Sequence, residues 1–434
     1  MLARLALRQI FAFATRRAPG HRLQLTFADG STTKFYRNPP VAVPDIHIVF
    51  KTAAAERHAA VNFYPGLFEA YIDQEVDILG SRPIARLAEL GHAALGSKRS
   101  MDGIAGVLRH NPIVRVKQVL QELRQNSKDL VRAKQNAIYH YGLPPEFFEY
   151  LLGDTVGYSE GYWRDGTDDL NRAKVDNYHH VARKLRLEAG LKVVEVGAGW
   201  GYMPLVMAKT YGVDVTVYNP VPRQNEYMRS RFARHGMAER IKVLERDHRD
   251  LRDEPEAYDR YVSVGVYEHV GRDGYRDWIE SIAVALKPGG IGVLSTTTKM
   301  VRQMTEYLTL KYIFPGGHLP SLPLTLAMMD RFGLTVVDLE NLWPHYRRTV
   351  ACWRDNLDHH WEAIRTTDPS VFDERFRRIW TMYLEGTMET FQAGLDLFHI
   401  VFVKGRDPEF YPLTRDFLRP QTEPAAAREL EFYR

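Results

Sequence analysis

Cysteine is nearly absent: Cys352 is the only one in 434 residues. A single thiol excludes an internal disulfide and a multi-cysteine metal site, so a reduced, cytoplasmic protein is the default expectation. Long apolar runs are missing too. No stretch of about 18 apolar residues occurs, which argues against a membrane-spanning helix. Neither sign of charge dominates, since 58 Lys and Arg face 54 Asp and Glu for a net charge of +4. That balance favours an anionic partner, lipid or nucleic acid, only faintly. Internal repeats, low-complexity segments and a nucleophile elbow for hydrolase chemistry are all absent. The pairs His179-His180 and His359-His360 lack spacing to further ligands, so they read as surface pairs and no metal is expected. Basic runs such as Arg229–Arg234 read as a solvated helix face, so no nucleic-acid partner is expected.

What is present is an ordinary globular composition, 45% hydrophobic and 26% charged. The length exceeds one compact core, which predicts two domains. In the first 22 residues Arg4, Arg8, Arg16 and Arg17 interrupt the apolar residues, so no signal-peptide core stands out. Leu2, Leu5, Ile10 and Phe13 could line one face of an amphipathic helix on an anionic membrane. A first helix packed on its own domain fits the same residues. LQLTFAD-GS-TTKFYR alternates around Asp29-Gly30, a hairpin signal, and helical stretches follow near 66–76 and 82–95. Residues 1–95 therefore form a small α+β domain, expected to contact lipid. Residues 96–133 read as a linker with a charged, mostly solvated helix, and 421–434 as a loose tail.

From about 134 to 420 strands and helices alternate, which predicts an α/β parallel sheet covered on both faces. Strands are expected at 192–199, 213–219, 242–246, 260–266 and 290–297. Those at 334–340 and 397–405 would close the sheet, as an antiparallel finish. Helical insertions fall near 300–331 and 352–394. The sharpest motif, Glu195-Val196-Gly197-Ala198-Gly199-Trp200-Gly201, follows directly on a strand. Glycine lets the backbone approach a ligand closely and accept positive φ, and such a turn is the nucleotide crevice of parallel sheets. NAD enzymes share the pattern. Two details favour S-adenosylmethionine (SAM): the acid Glu195 before the first glycine, and the Leu286-Lys287-Pro288-Gly289-Gly290 turn before a late strand.

Five ordered motifs then resemble the cyclopropane-fatty-acid synthase and mycolic-acid methyltransferase family. They are His140-Tyr141-Gly142-Leu143 with Phe147-Phe148; Tyr158-Ser159-Glu160-Gly161-Tyr162-Trp163; Val264 to Gly271 with Glu268, followed by Tyr275; Lys311 to Gly317; and Tyr346. The resemblance implies a class I SAM-methyltransferase doubly wound sheet with helical insertions. It implies cofactor contacts at Tyr158, Ser159, Gly197, Gly199, Asn219, Gln224, Asp247 and His248, beside Glu195. Asn219 and Gln224 would hold the ribose through neutral hydrogen bonds. The implied reaction is C-methylation of an unsaturated phospholipid acyl chain at the inner face of the cell membrane, by a cytoplasmic enzyme associated peripherally. The oligomeric state stays open, a homodimer included.

Methylating an isolated alkene leaves a carbocation, so the site must exclude water, offer aromatic faces and supply a base. Aromatics cluster near the motifs: Tyr158, Tyr162, Trp163, Tyr267, Tyr312, Phe314 and Tyr346. In the synthases bicarbonate is understood to be the base, gripped by a cysteine, a glutamate, a histidine and a tyrosine. Glu268 and Tyr346 match two of these; the cysteine position is Glu160 and the histidine position is Ser295. The expectation is that Glu160 replaces bicarbonate, its basicity raised by burial and by a nearby carboxylate, with the small Ser295 leaving room. The alternative is that Glu160 points to solvent and bicarbonate binds as usual.

Overall fold

The computed structural model describes residues 1–36, 44–95, 111–301 and 305–419. The expected linker segment 96–110 and the tail 421–434 lie outside the described residues. The chain divides into two compact units, one of residues 1–123, 306–313 and 357–393, the other of 124–305, 314–356 and 394–434.

In the first unit the expected hairpin pairs β1 (Leu23–Thr26) with β2 (Thr32–Lys34), and Gly30 takes φ +82 in the turn. β3 (Ile46–Phe50) runs parallel to β1 and antiparallel to β4 (Val76–Leu79), giving the order β2-β1-β3-β4. Period-two alternation buries Leu23, Leu25, Ile46, Ile48 and Phe50 on one face. The helix expected near 66–76 instead spans Ala53–Ile72. Thr52 caps an alanine-rich start by accepting the Ala55 amide, and the helix continues through a kink at Phe63, two residues before Pro65.

The first helix, Leu2–Arg17, packs on its own unit through Leu7, Phe11 and Thr15, the face opposite the one that the sequence offers to a membrane. Leu2 and Leu5 are exposed, and Ile10 and Phe13 only partly covered. Arg4 and Arg8 anchor the helix: the Arg4 Nε donates to Glu56 at 2.7 Å, and the guanidinium groups of Arg4 and Arg8 lie over the Phe27 ring.

Residues 306–313 and 357–393 were expected within one continuous domain from 134 to 420, but they group with the first unit. Their charges explain it. Lys311 reaches Glu69 at 2.6 Å and Arg378 reaches Asp77 at 2.8 Å, while buried Glu385 accepts the Ile84 and Ala85 amides at 3.0 Å each. Glu385 thereby caps helix Pro83–Leu95.

In the second unit all seven expected strands form one sheet: β5 (Lys192–Val196), β6 (Asp214–Tyr218), β7 (Ile241–Leu244), β8 (Tyr258–Val264), β9 (Leu286–Thr298), β10 (Leu334–Asn341) and β11 (Asp396–Lys404). Their order is β10-β11-β9-β8-β5-β6-β7. Only β11 is reversed, antiparallel to both β9 and β10, so the antiparallel finish is one strand and not two. Apolar clusters cover both faces, one around Val181, Leu205 and Val206, the other around Trp278, Ile279 and Tyr261. Strand order reverses between β5 and β8, where α/β sheets open a ligand crevice at their carboxyl edge.

Replacing Glu385 with alanine would leave two buried amides without an acceptor. The expected cost is about 2–3 kcal/mol, read by urea unfolding, with Glu385→Gln milder because it keeps an acceptor.

Candidate active site

β5 runs into the glycine loop at the strand-order reversal. Gly197 takes φ +77 and a Cβ there would collide with Val266, so only glycine fits without displacement. Gly199 takes φ +55 with open space around it, and Gly201 opens the helix Tyr202–Tyr211. The loop borders a cavity of about 1230 Å³ of empty space, its open mouth included. Every residue implied as a cofactor contact lines it: Tyr158, Ser159, Glu195, Gly197, Gly199, Asn219, Gln224, Asp247 and His248.

The chemistry of this lining fits SAM. Glu195 is 3% exposed, its Oε2 has no partner, and burial pushes its carboxyl up to about 8. A buried carboxylate oxygen without a donor suits an ammonium. His248 Nε2 is likewise buried without a partner, while its Nδ1 sits 3.0 Å from Asp247. Burial opposes ionisation of Asp247, but His248 and Arg249 outweigh it and hold the carboxyl well below its usual range. The side chains expected to hold a ribose are bonded to each other: Asn219 Nδ2 donates to Gln224 at 3.3 Å and to Asn225 at 2.9 Å.

The four expected catalytic residues lie in the same unit but do not line this cavity. Glu160 belongs to an irregular segment pinned by its neighbours. The Gly161 amide donates to Thr349, the Tyr162 amide to Ala173, and the Trp163 amide to His345. Glu160 is 1% exposed and does not face solvent. Its Oε1 accepts from His399 Nε2 at 2.6 Å, Ser295 Oγ at 3.1 Å and Asn177 Nδ2 at 3.3 Å. Ser295 leaves room for the carboxylate, as expected. The expected direction of the Glu160 shift is overturned, however. Burial raises it, but His399 and the Lys174 charge prevail and bring it to about 2. Lys174, fully buried, donates to the Ser159 carbonyl and lies 4.7 Å from the Trp353 ring; burial lowers its amine to about 7.

Glu268 is the carboxyl that burial raises. Its Oε1 accepts the Thr297 amide at 2.5 Å and its Oε2 is buried without a partner. Ser295 and Thr297, which hold the two carboxylates, are two residues apart on β9, about 7 Å along the strand. Tyr346 packs against Trp353 at 5.8 Å between centroids, and Trp353 against Tyr158 at 5.1 Å. Phe314 lies by His140 and His269. The remaining aromatics are elsewhere: Tyr162 stacks between His180 and His345, Trp163 donates to Thr349, Tyr267 packs with Trp278, and Tyr312 belongs to the first unit.

Sequence reasoning missed Lys174, Asn177, His180 and Lys184, which recur at near-helical spacing on helix Leu170–Lys184. It also missed His399, the one histidine in the apolar strand β11. A polar residue in so apolar a setting requires a buried partner, and that was the available signal. His179 and His180 are buried and not a surface pair. Arg231 is also buried, its guanidinium over Tyr202, so the run 229–234 is not wholly solvated. Among the described residues, His180, Glu340 and His399 offer ligand atoms within 4.8 Å of one another. The Lys184 ammonium bonds two of them, so the positive charge there is the protein's own.

The family described as mycolic acid cyclopropane synthetase matches residues 128–400. A probable fatty acid methyltransferase of Pseudomonas putida is 29% identical over 349 residues, 76% of this chain and 86% of that protein. The cyclopropane-fatty-acyl-phospholipid synthase of Escherichia coli is 32% identical over 268 residues, 61% and 67% of the two chains. A crystal structure of a mycolic acid cyclopropane synthase complexed with SAH and CTAB superposes with a TM-score of 0.58 at 27% identity, covering 62% of this chain and 98% of that one.

SAM binding tests the loop and Glu195 together. A carboxyl held protonated by burial at pH 7 ionises against an ammonium, so binding should release close to one proton. Calorimetry in buffers of different ionisation enthalpy should detect it, and Glu195→Gln should abolish it. Gly199→Trp, where a Cβ meets no atom within 4 Å but the φ of +55 strains any side chain, should remove binding, with a melting curve to show that the variant still folds.

Proposed function

The chain belongs to the mycolic acid cyclopropane synthetase family and is a SAM-dependent methyltransferase, and from that premise we propose that it methylates the double bond of an unsaturated phospholipid acyl chain. The product is a methyl- or methylene-branched chain, and Glu160 is the base. The observation that carries this reading is a buried, ionised carboxylate at the position where the synthase motif has a cysteine, fixed by three donors on one oxygen.

SAM supplies a methyl group made electrophilic by its sulfonium. The chain's own residues then have three tasks. Glu195, Asp247, His248 and the glycine loop orient the cofactor. The rings of Tyr158, Trp353 and Tyr346 exclude water and stabilise the positive charge left on the neighbouring alkene carbon. Glu160 accepts the proton. A carbocation is so strong an acid that a carboxylate with a low pKa still deprotonates it; what matters is that Glu160 stays ionised and aimed. Loss of a proton from a chain carbon leaves a methyl branch on a retained double bond. Loss from the new methyl after a hydride shift leaves a methylene. Loss from the methyl with closure onto the cation gives a cyclopropane.

One observation favours the second reading, a cyclopropane synthase using bicarbonate. Glu268 Oε2 is buried without a partner, and the raised Glu268 carboxyl could donate to an anion there. Glu160→Gln separates the two. On the branched reading it lowers turnover about 10²–10⁴-fold with SAM affinity intact, and wild-type product carries olefinic carbon by NMR. A cyclopropane signal, or a Glu160→Gln enzyme restored by bicarbonate, supports the second reading.

The substrate is a membrane lipid, so the enzyme visits a bilayer, and helix Pro112–Arg124 is suited to it. None of its side chains is buried. Val116, Leu120 and Leu123 stand exposed on one face, flanked by Arg115, Lys117 and Arg124. Replacing the three apolar residues with serine should lower sedimentation with anionic phosphatidylglycerol vesicles at least about tenfold and leave the melting temperature unchanged.

A further inference from the structure

We propose that His399, Lys184 and Glu340 are positioning residues that fix the hydrogen-bonding direction and charge of Glu160. This rests on the reading of Glu160 as the base. Strand register supplies the starting point. His399 on β11 is the direct cross-strand partner of Ser295 on β9. Facing residues of an antiparallel pair project to the same side, with Cβ atoms about 4.5–5.5 Å apart. Ser295 is short, so the imidazole reaches past it to the carboxylate oxygen that the serine hydroxyl also holds. The resemblance puts a histidine at position 295; here an imidazole reaches the same place from the neighbouring strand.

Beyond the imidazole the chain of contacts continues. Lys184, whose side chain is fully buried, lies with Nζ 3.0 Å from His399 Nδ1 and 2.5 Å from Glu340 Oε2. An ammonium has hydrogens to donate and no lone pair to accept with. His399 Nδ1 must therefore be the acceptor, which leaves the ring proton on Nε2, pointing at Glu160. Burial lowers the Lys184 amine, and Glu340 is the charge that opposes this and favours the ammonium; it also accepts from His180 at 2.6 Å. Its side chain is 31% exposed, so the series ends near solvent. Along it stand the Glu160 carboxylate, a neutral His399, the Lys184 ammonium and the Glu340 carboxylate, so the imidazole separates the first carboxylate from the ion pair. Burial, then the Lys184 charge, disfavours a protonated His399, so the ring stays a neutral donor. His399, Ser295 and Asn177 all bind Oε1, which leaves Oε2 as the oxygen they do not occupy.

The test combines nitrogen NMR with a mutant cycle. In wild type the His399 nitrogens should report a neutral ring protonated at Nε2. Lys184→Met should lose that signature and lower kcat about 10–100-fold, the usual effect of removing an outer-shell partner, with KM for SAM within twofold. His399→Gln keeps an amide donor toward Glu160 and has no tautomer to fix, so adding Lys184→Met to it should change kcat less than twofold. If Lys184→Met does not fold, Glu340→Gln addresses the same series from its partly exposed end. Lys184 then faces Asp338, Glu160, His180 and His399 without its counter-charge, its ammonium is lost at lower pH, and the alkaline limb of kcat should move down in pH. A wild-type ring protonated at Nδ1, or an equal loss from Lys184→Met in both backgrounds, overturns the proposal. Full activity of Glu160→Gln would defeat the base reading alone, because the His399 spectrum reports the tautomer whatever Glu160 does.

Discussion

A carboxylate taken out of water is the constraint around which the catalytic unit is arranged. Burying an isolated charge costs several kcal/mol even after relaxation, and the folded chain persists only where donors and opposite charge offset it. Glu160 receives three donors and the field of Lys174, and each comes from a different part of the sheet or its covering helix. Helix Leu170–Lys184 carries Lys174 and Asn177, and β9 and β11 carry Ser295 and His399. These elements meet at one oxygen, so their packing and the ionisation of Glu160 are one condition. Because the folded pKa is depressed from 4.5 to about 2, this contribution to stability is complete above about pH 4.5. It is lost as the pH falls toward 2.

The cofactor cavity has the opposite electrostatic character. Glu195 is as buried as Glu160 but has no donor at its Oε2, so burial alone decides and its proton is retained near neutrality. One glutamate is satisfied by the protein, the other left for a ligand. That difference separates a permanent fixture of the fold from a group prepared for a visitor.

Much of this was legible in the sequence because it is local. Each of the seven strands of the large sheet is an apolar run bounded by turn residues, and the glycine loop directly follows one of them. The nine residues expected to contact the cofactor sit in short motifs, and the fold brings all nine to the lining of one cavity. What failed was non-local. Glu160 and His399 are 239 positions apart, so the sign of the Glu160 shift could not be read from its neighbours, and burial without a partner gave the wrong direction. The grouping of 306–313 and 357–393 with the first unit depends on Glu69, Asp77 and the amides of Ile84 and Ala85, again far away in sequence.

The facing of Ser295 and His399 also bears on which substitutions the site tolerates. Cysteine at 160 alone would leave Lys174 buried without the nearby carboxylate, and histidine at 295 alone would place two imidazoles in a space that holds one. Either change alone is destabilising: the first removes the charge that favours the Lys174 ammonium, and the second overfills the core at a cost of about 1–3 kcal/mol. For a domain with about 5–15 kcal/mol of stability such changes are poorly tolerated. Residues 160, 295 and 399 share one carboxylate oxygen and one cross-strand pair, so substitutions at these positions are coupled and do not add independently.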